Sequence, residues 1–213
     1  MDNNTGRICS CIERRKRSRL LGQSQISEAF QALSFENFEH EGRPSEIVDM
    51  LRLAFGYRKT FHEIRGERSN SIMLLGQPGS GKTHLLSAIA NALITEDLVE
   101  VIYFPYVEGF NSLRDDFDLL DAKIEKLKTC EVLFLDDLFK GRTTPTPFQL
   151  EQMFAVINYR YLHHLPLLVS SERSLEGLES VDEAIGTRLR DMARGFTYEV
   201  FGDRERLNWR MRP

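Results

Sequence analysis

Apolar positions Ile47, Leu51, Ala54 and Phe55 recur at helical spacing and predict a helix over residues 45–64. A polar loop follows at 65–70, and beyond it the pattern changes to short apolar runs separated by amphipathic stretches. The runs SIMLL (71–75), VEVIYFPY (99–106), EVLFL (131–135), LPLLVS (165–170) and FTYEVF (196–201) read as strands. Between them, helical periodicity covers 82–94, two pieces at about 107–117 and 119–128, then 146–163 and 182–194. Buried strands alternating with helices predict an α/β fold with a mainly parallel sheet covered on both faces. Residues 1–21 read as mobile or helical, and 22–45 as a polar connector closing with Gly42-Arg43-Pro44. The expected division is therefore an arm and connector over 1–44 and one α/β domain over 45–213.

Composition narrows this picture without changing it. The 213 residues are 41% hydrophobic and 28% charged, as in a soluble globular protein. No apolar run reaches the roughly 20 residues needed to span a bilayer, and the opening residues lack the apolar core of a secretory signal. Three cysteines, Cys9, Cys11 and Cys130, make no disulfide framework, so a cytoplasmic location is expected. The net charge of −4 is unevenly spread: residues 1–21 carry six basic groups against two acidic ones, leaving −8 on the remainder. An acidic body with a basic arm (ERRKRSR, 13–19) argues for local rather than global contact with nucleic acid.

The chemistry begins at GQPGSGKT, which fits G-x-x-x-x-G-K-[ST] between a predicted strand and a predicted helix. Gly76, Gln77, Pro78, Gly79, Ser80 and Gly81 form a turn whose amides converge on phosphate, backed by the positive end of the helix that starts at Lys82, Thr83 and His84. Lys82 would neutralise the outer phosphates of ATP or ADP, and the Thr83 hydroxyl would ligate Mg²⁺. A magnesium-binding carboxylate is then expected at the end of a neighbouring buried strand, and VLFLDDLF supplies Asp136. Asp137 stands where a water-orienting acid is needed; being shorter than glutamate, it implies slow turnover. In LPLLVSSERS, Ser171 is the preferred phosphate-sensing residue, with Ser170 and Glu172 as rivals.

The ordered segments GRICSCIERRKRSRLL, LSFENF, GQPGSGKTHLL, VLFLDDLFKG, INYRY, LPLLVSSERS and DEAIGTRL make the chain resemble the DnaC/DnaI-type helicase loaders. These are AAA+ ATPases that share a clade with the DnaA initiator and the IstB transposition helper. The resemblance covers residues 9–212 and implies a three-layer sandwich around a five-stranded sheet. It further implies ATP held between neighbouring subunits, turnover stimulated by assembly or DNA, and delivery of a hexameric replicative helicase onto single-stranded DNA. Matched to DEAIGTRL, the arginine that reaches a neighbour's nucleotide is Arg188, with Arg190 and Arg194 on the same helix. Phe35 and Phe38 of LSFENF would wall the base, and Arg210 in NWRMR, matched to the family's closing strand, would be a second sensor. Tyr106, Phe110, Arg114, Lys123, Lys126 and Lys128 fall in a zone that faces DNA in related proteins.

Two departures from the pattern are expected to matter. The chain ends soon after the last strand, without the helical lid common in AAA+ proteins. At the other end, Cys9-Ser10-Cys11 is not completed to a zinc site by His40, His62, His84, His163 or His164. Two competing readings remain: an IstB-like helper acting on duplex DNA, and an adaptor that keeps nucleotide without turning it over.

Overall fold

The computed structural model describes residues 10–112, 117–141 and 144–211. Cys9 and Arg114 lie outside them. The first elements are helices α1 (Ser10–Gln23), α2 (Glu28–Gln31) and α3 (Ser45–Ile64). An alternating series follows: β1 (Ile72–Gly76), α4 (Lys82–Thr95), β2 (Val101–Pro105), α5 (Tyr106–Asn111), α6 (Phe117–Thr129) and β3 (Val132–Asp136). Then come α7 (Pro147–Leu162), β4 (Leu167–Ser171), α8 (Leu175–Val181), α9 (Glu183–Met192), β5 (Thr197–Val200) and α10 (Arg204–Leu207).

The five strands form one sheet in the order β2-β3-β4-β1-β5, and every pairing is parallel. Strand pleating sends alternate residues to opposite faces, which makes two cores. Ile72, Leu74, Val101, Phe134 and Leu168 pack with α3 and α4, while Met73, Leu75, Phe104, Leu133 and Val169 pack with α6, α7 and α9. Leu20, Ile26 and Phe38 from the first 44 residues are buried in the first of these cores. The Tyr103 amide donates to the Ser24 carbonyl (2.8 Å), so the connector also covers part of the free edge of β2.

Two local expectations change. Residues 175–181, given no element from periodicity, form α8. Its N-cap Ser174 accepts from the Gly177 amide at 3.0 Å, and Leu175 and Leu178 turn into the core. Asp182 ends α8 and, in an extended conformation, caps α9 by accepting from the Ile185 amide (2.8 Å). The described part of NWRMR is not a strand: Trp209–Met211 is a 3₁₀ turn. The Asn208 side chain accepts from the Arg210 amide (3.0 Å) and the Trp209 amide donates to the Gly79 carbonyl (2.9 Å), which fixes this turn against the glycine-rich loop.

Candidate nucleotide site

The loop between β1 and α4 lies at the carboxyl end of the sheet, where parallel α/β folds leave a crevice. Gly81 takes φ +105° as the N-cap of α4, and a Cβ there would sit 2.7 Å from the Phe38 ring. Gly79, at φ +78°, leaves room for the Asn208 side chain. The α7, α8 and α9 amino ends carry side-chain caps, whereas α4 has none. Its first amides and dipole therefore face the crevice, as an anion requires.

Lys82 is only 5% exposed, and its ammonium donates to the carbonyls of Gly76 (2.6 Å) and Gln77 (2.9 Å). Burial pushes its pKa down to about 8, while Asp137, Glu172 and Asp136 pull it back up. Asp136, at the end of β3, gathers three hydroxyls: Thr83 (2.9 Å) and Ser170 (2.5 Å) donate to Oδ1, and Tyr103 (3.0 Å) to Oδ2. Burial nonetheless raises the Asp136 pKa, against the lowering effect of those hydrogen bonds. A dication at Thr83 and Asp136 would restore the ionised form.

A cavity of about 470 Å³ opens over these groups. Pro78, Gly79, Gly81, Lys82, Thr83 and His84 line it, as do Asp136, Asp137, Phe38 and Arg210. Gly76, Gln77 and Ser80 shape the loop from behind. The Gln77 side chain accepts from the Gly202 amide (3.1 Å), and buried Ser80 donates to the Gln77 carbonyl (3.1 Å). Phe38 touches the His84 ring edge-on (5.0 Å) and lies under the Arg43 guanidinium (5.3 Å), which also lies over Trp209 (5.2 Å). His84 contacts the Ser34 carbonyl (2.9 Å), and burial lowers its pKa.

Other residues singled out in the sequence lie outside this cavity. Ser171 is fully buried beneath the site; its hydroxyl donates to the Leu138 carbonyl (2.8 Å) and accepts from the Arg173 amide (3.1 Å), which leaves nothing for a phosphate. Pleating gives the neighbouring positions the relevant places: Ser170 holds Asp136, and Glu172 lines the cavity. Phe35 packs on Phe55 (5.4 Å) outside the cavity lining. Tyr106 and Phe110 are core residues rather than a stacking platform, and Lys123, Lys126 and Lys128 pair with Gln25, Glu100 and Glu125. Arg188 does not line its own chain's cavity; Asn158 Oδ1 (2.9 Å) and the Ala184 carbonyl (2.8 Å) hold it on the α7–α9 side. Arg190 and Arg194 pair with Glu179 and Asp191. Among the described residues no cluster of three His, Cys, Asp or Glu side chains could hold a metal, and no helix is long and apolar enough to cross a membrane.

Sequence reasoning passed over Tyr103, Lys140, Arg43 and Trp209. Only Lys140 carried a visible signal, a cation three positions after the acidic pair. The other three converge from distant segments.

The residues present fit a magnesium-bound nucleotide: an uncapped helix start, a buried ammonium on neutral carbonyls, and a hydroxyl and carboxylate 2.9 Å apart. Fold and site together define a P-loop protein of the AAA+ class. The family model for the bacterial DnaA ATPase domain matches residues 34–196, and the chain belongs to that family. It is 50% identical over 207 residues to the phage-like element PBSX protein XkdC of Bacillus subtilis, covering 96% of this chain and 78% of that protein. It spans only 34% of a Streptococcus mutans chromosomal replication initiator DnaA, at 24% identity over 160 residues. Crystal structures that share the fold include the following two. One is of DnaI (TM-score 0.67, 22% identity, covering 84% of this chain and 93% of that one); the other is of the DnaC helicase loader (TM-score 0.68, 18% identity, 82% and 99%).

Proposed function

We propose that the chain is an ATP-switched helicase loader for DNA replication, active in the cytoplasm. With ATP bound it associates with copies of itself and delivers a hexameric replicative helicase onto single-stranded DNA. The reading is carried by the Lys82–Thr83–Asp136 constellation, set on a fold shared with DnaI and DnaC. When bound, Mg²⁺ would withdraw charge from the outer phosphates. This chain's residues do the rest: Lys82 and the α4 amides bind the phosphates, Asp136 and Thr83 would hold the metal, and Asp137 accepts a proton from the attacking water. Arg188, held outside its own cavity, serves the cavity of the next copy, where a fixed guanidinium stabilises charge on the transferred phosphoryl group. The exposed basic run of α1, from Arg14 to Arg19, supplies contacts to DNA phosphates or to an acidic patch on the helicase.

The test is helicase loading and ATP turnover with Lys82→Ala and Arg188→Ala. Wild-type loading by Lys82→Ala would refute the switch. A second reading, a nucleotide-keeping adaptor, draws on one observation: the Asp137 carboxylate is held by Lys140 at 2.8 Å. Absence of turnover even with helicase and single-stranded DNA present would favour it.

A further inference from the structure

Lys140 sits in the wall of the cavity, four residues past Asp136, at the point where the loops after β3 and β4 meet. Its ammonium lies 2.8 Å from Asp137 Oδ2 and 3.0 Å from Glu172 Oε1, so one cation ties two carboxylates from different loops. The turn is tight: Asp137 adopts φ +55°, and the Lys140 amide donates to the Asp137 carbonyl (3.0 Å). Burial disfavours the Lys140 charge, but hydrogen bonds to Asp137 and Glu172 outweigh it and raise its pKa. The fields of Asp136, Asp137, Glu172 and Lys140 all reach Lys82. Around Lys82 the cavity therefore gathers three carboxylates and one further ammonium group, while Glu39, Arg43 and Arg210 also stand in its lining.

That balance matters for which nucleotide enters. A triphosphate differs from a diphosphate by one further anionic group, which must settle farther from the base, toward the carboxylates. Without Lys140, Asp137 and Glu172 would meet it with two uncompensated negative charges. We infer that Lys140 sets the preference for a nucleoside triphosphate over a diphosphate, by neutralising Asp137 and Glu172 and by offering the terminal phosphate a second ammonium group besides Lys82. The inference rests on the nucleotide reading of the site and adds a residue that determines its specificity. Because the lysine and its partners are each about a third exposed (40%, 32% and 33%), solvent screens the pairs and the effect is moderate.

Trp209 is the sole tryptophan and lines the cavity, so its fluorescence reports occupancy, with calorimetry as a parallel measurement. Mg·ATP and Mg·ADP are titrated into the wild-type chain and into Lys140→Met, Lys140→Arg and Glu172→Gln. Lys140→Met should lower the ratio of ATP to ADP affinity roughly five- to tenfold, chiefly through ATP. Lys140→Arg should keep the ratio near wild type, and Glu172→Gln should raise it, an opposite sign that a purely structural lysine would not produce. Glu172→Gln also decides the matter if Lys140→Met does not fold. An unchanged ratio in either charge-removing variant overturns the role of Lys140 while leaving the nucleotide reading intact. Absence of any signal or heat from the wild-type chain with both nucleotides overturns the nucleotide reading, and the inference with it.

Discussion

Lys82 illustrates how one side chain couples binding to pH. Its pKa falls from 10.5 to about 8 because its charge is buried. Between those values the unfolded chain holds more protons than the folded one, so the Lys82 contribution to stability rises with pH through the window. It is lost as pH falls through about 8, an effect on the order of 3 kcal/mol. Comparing denaturant midpoints of wild type and Lys82→Met from pH 7 to 11 should show the difference change in that window. Nucleotide affinity should move the opposite way, weakening above pH 8, because a polyanion needs the ammonium form. A second residue-scale contrast separates neighbours on β4. Ser170→Ala should cut turnover, since its hydroxyl steadies Asp136. Ser171→Ala should leave turnover intact and cost about 1–2 kcal/mol in thermal unfolding, since it removes only a buried hydrogen bond to a carbonyl.

Among the elements, α7 bears the most unusual side chain. Arg160 is fully buried, and its guanidinium donates to the carbonyls of Leu127 (2.9 Å), Lys128 (3.1 Å), Cys130 (3.0 Å), Glu131 (3.3 Å) and Pro166 (2.7 Å). It thereby closes the carboxyl end of α6 and the entries to β3 and β4, complementing the α6 dipole. Arg160→Met keeps the apolar stem but removes the guanidinium and orphans those carbonyls, so about 3–5 kcal/mol of stability should be lost, read by chemical denaturation. At the other end of α7, Thr146 and Gln149 form a reciprocal cap, and Thr146→Ala should cost about 1 kcal/mol in the same assay. The signal for Arg160 was legible: Met153, Val156, Ile157 and Arg160 share one helical face, so an arginine stands in an apolar stripe. Its carbonyl partners come from two separate stretches, 127–131 and Pro166, which periodicity does not bring together.

For the whole molecule, the decisive quantity is whether one chain completes the site of another. Arg188 is held by α7 away from its own cavity. Arg188→Ala should therefore bind nucleotide as wild type does, yet lose turnover by about 10³-fold or more in assemblies. Mixing it with Lys82→Ala should restore part of the activity, since interfaces form that combine an intact cavity with an intact arginine. If no mixture gains activity, the arginine does not act in trans.

Sequence alone determined the alternating strand–helix order, the glycine-rich cradle with Lys82 and Thr83, and Asp136 at a strand end. Each is a local property, set by periodicity over a few residues or by fixed spacing along one turn. Only the tertiary structure decided that Ser170 rather than Ser171 serves Asp136, that Tyr103 joins it, and that Lys140 ties Asp137 to Glu172. It also decided that Trp209–Met211 closes as a turn on Gly79 instead of a strand. Those outcomes depend on the pleat phase and on which strands lie side by side, and parallel neighbours are brought together by crossovers whose sequences carry no record of the contact.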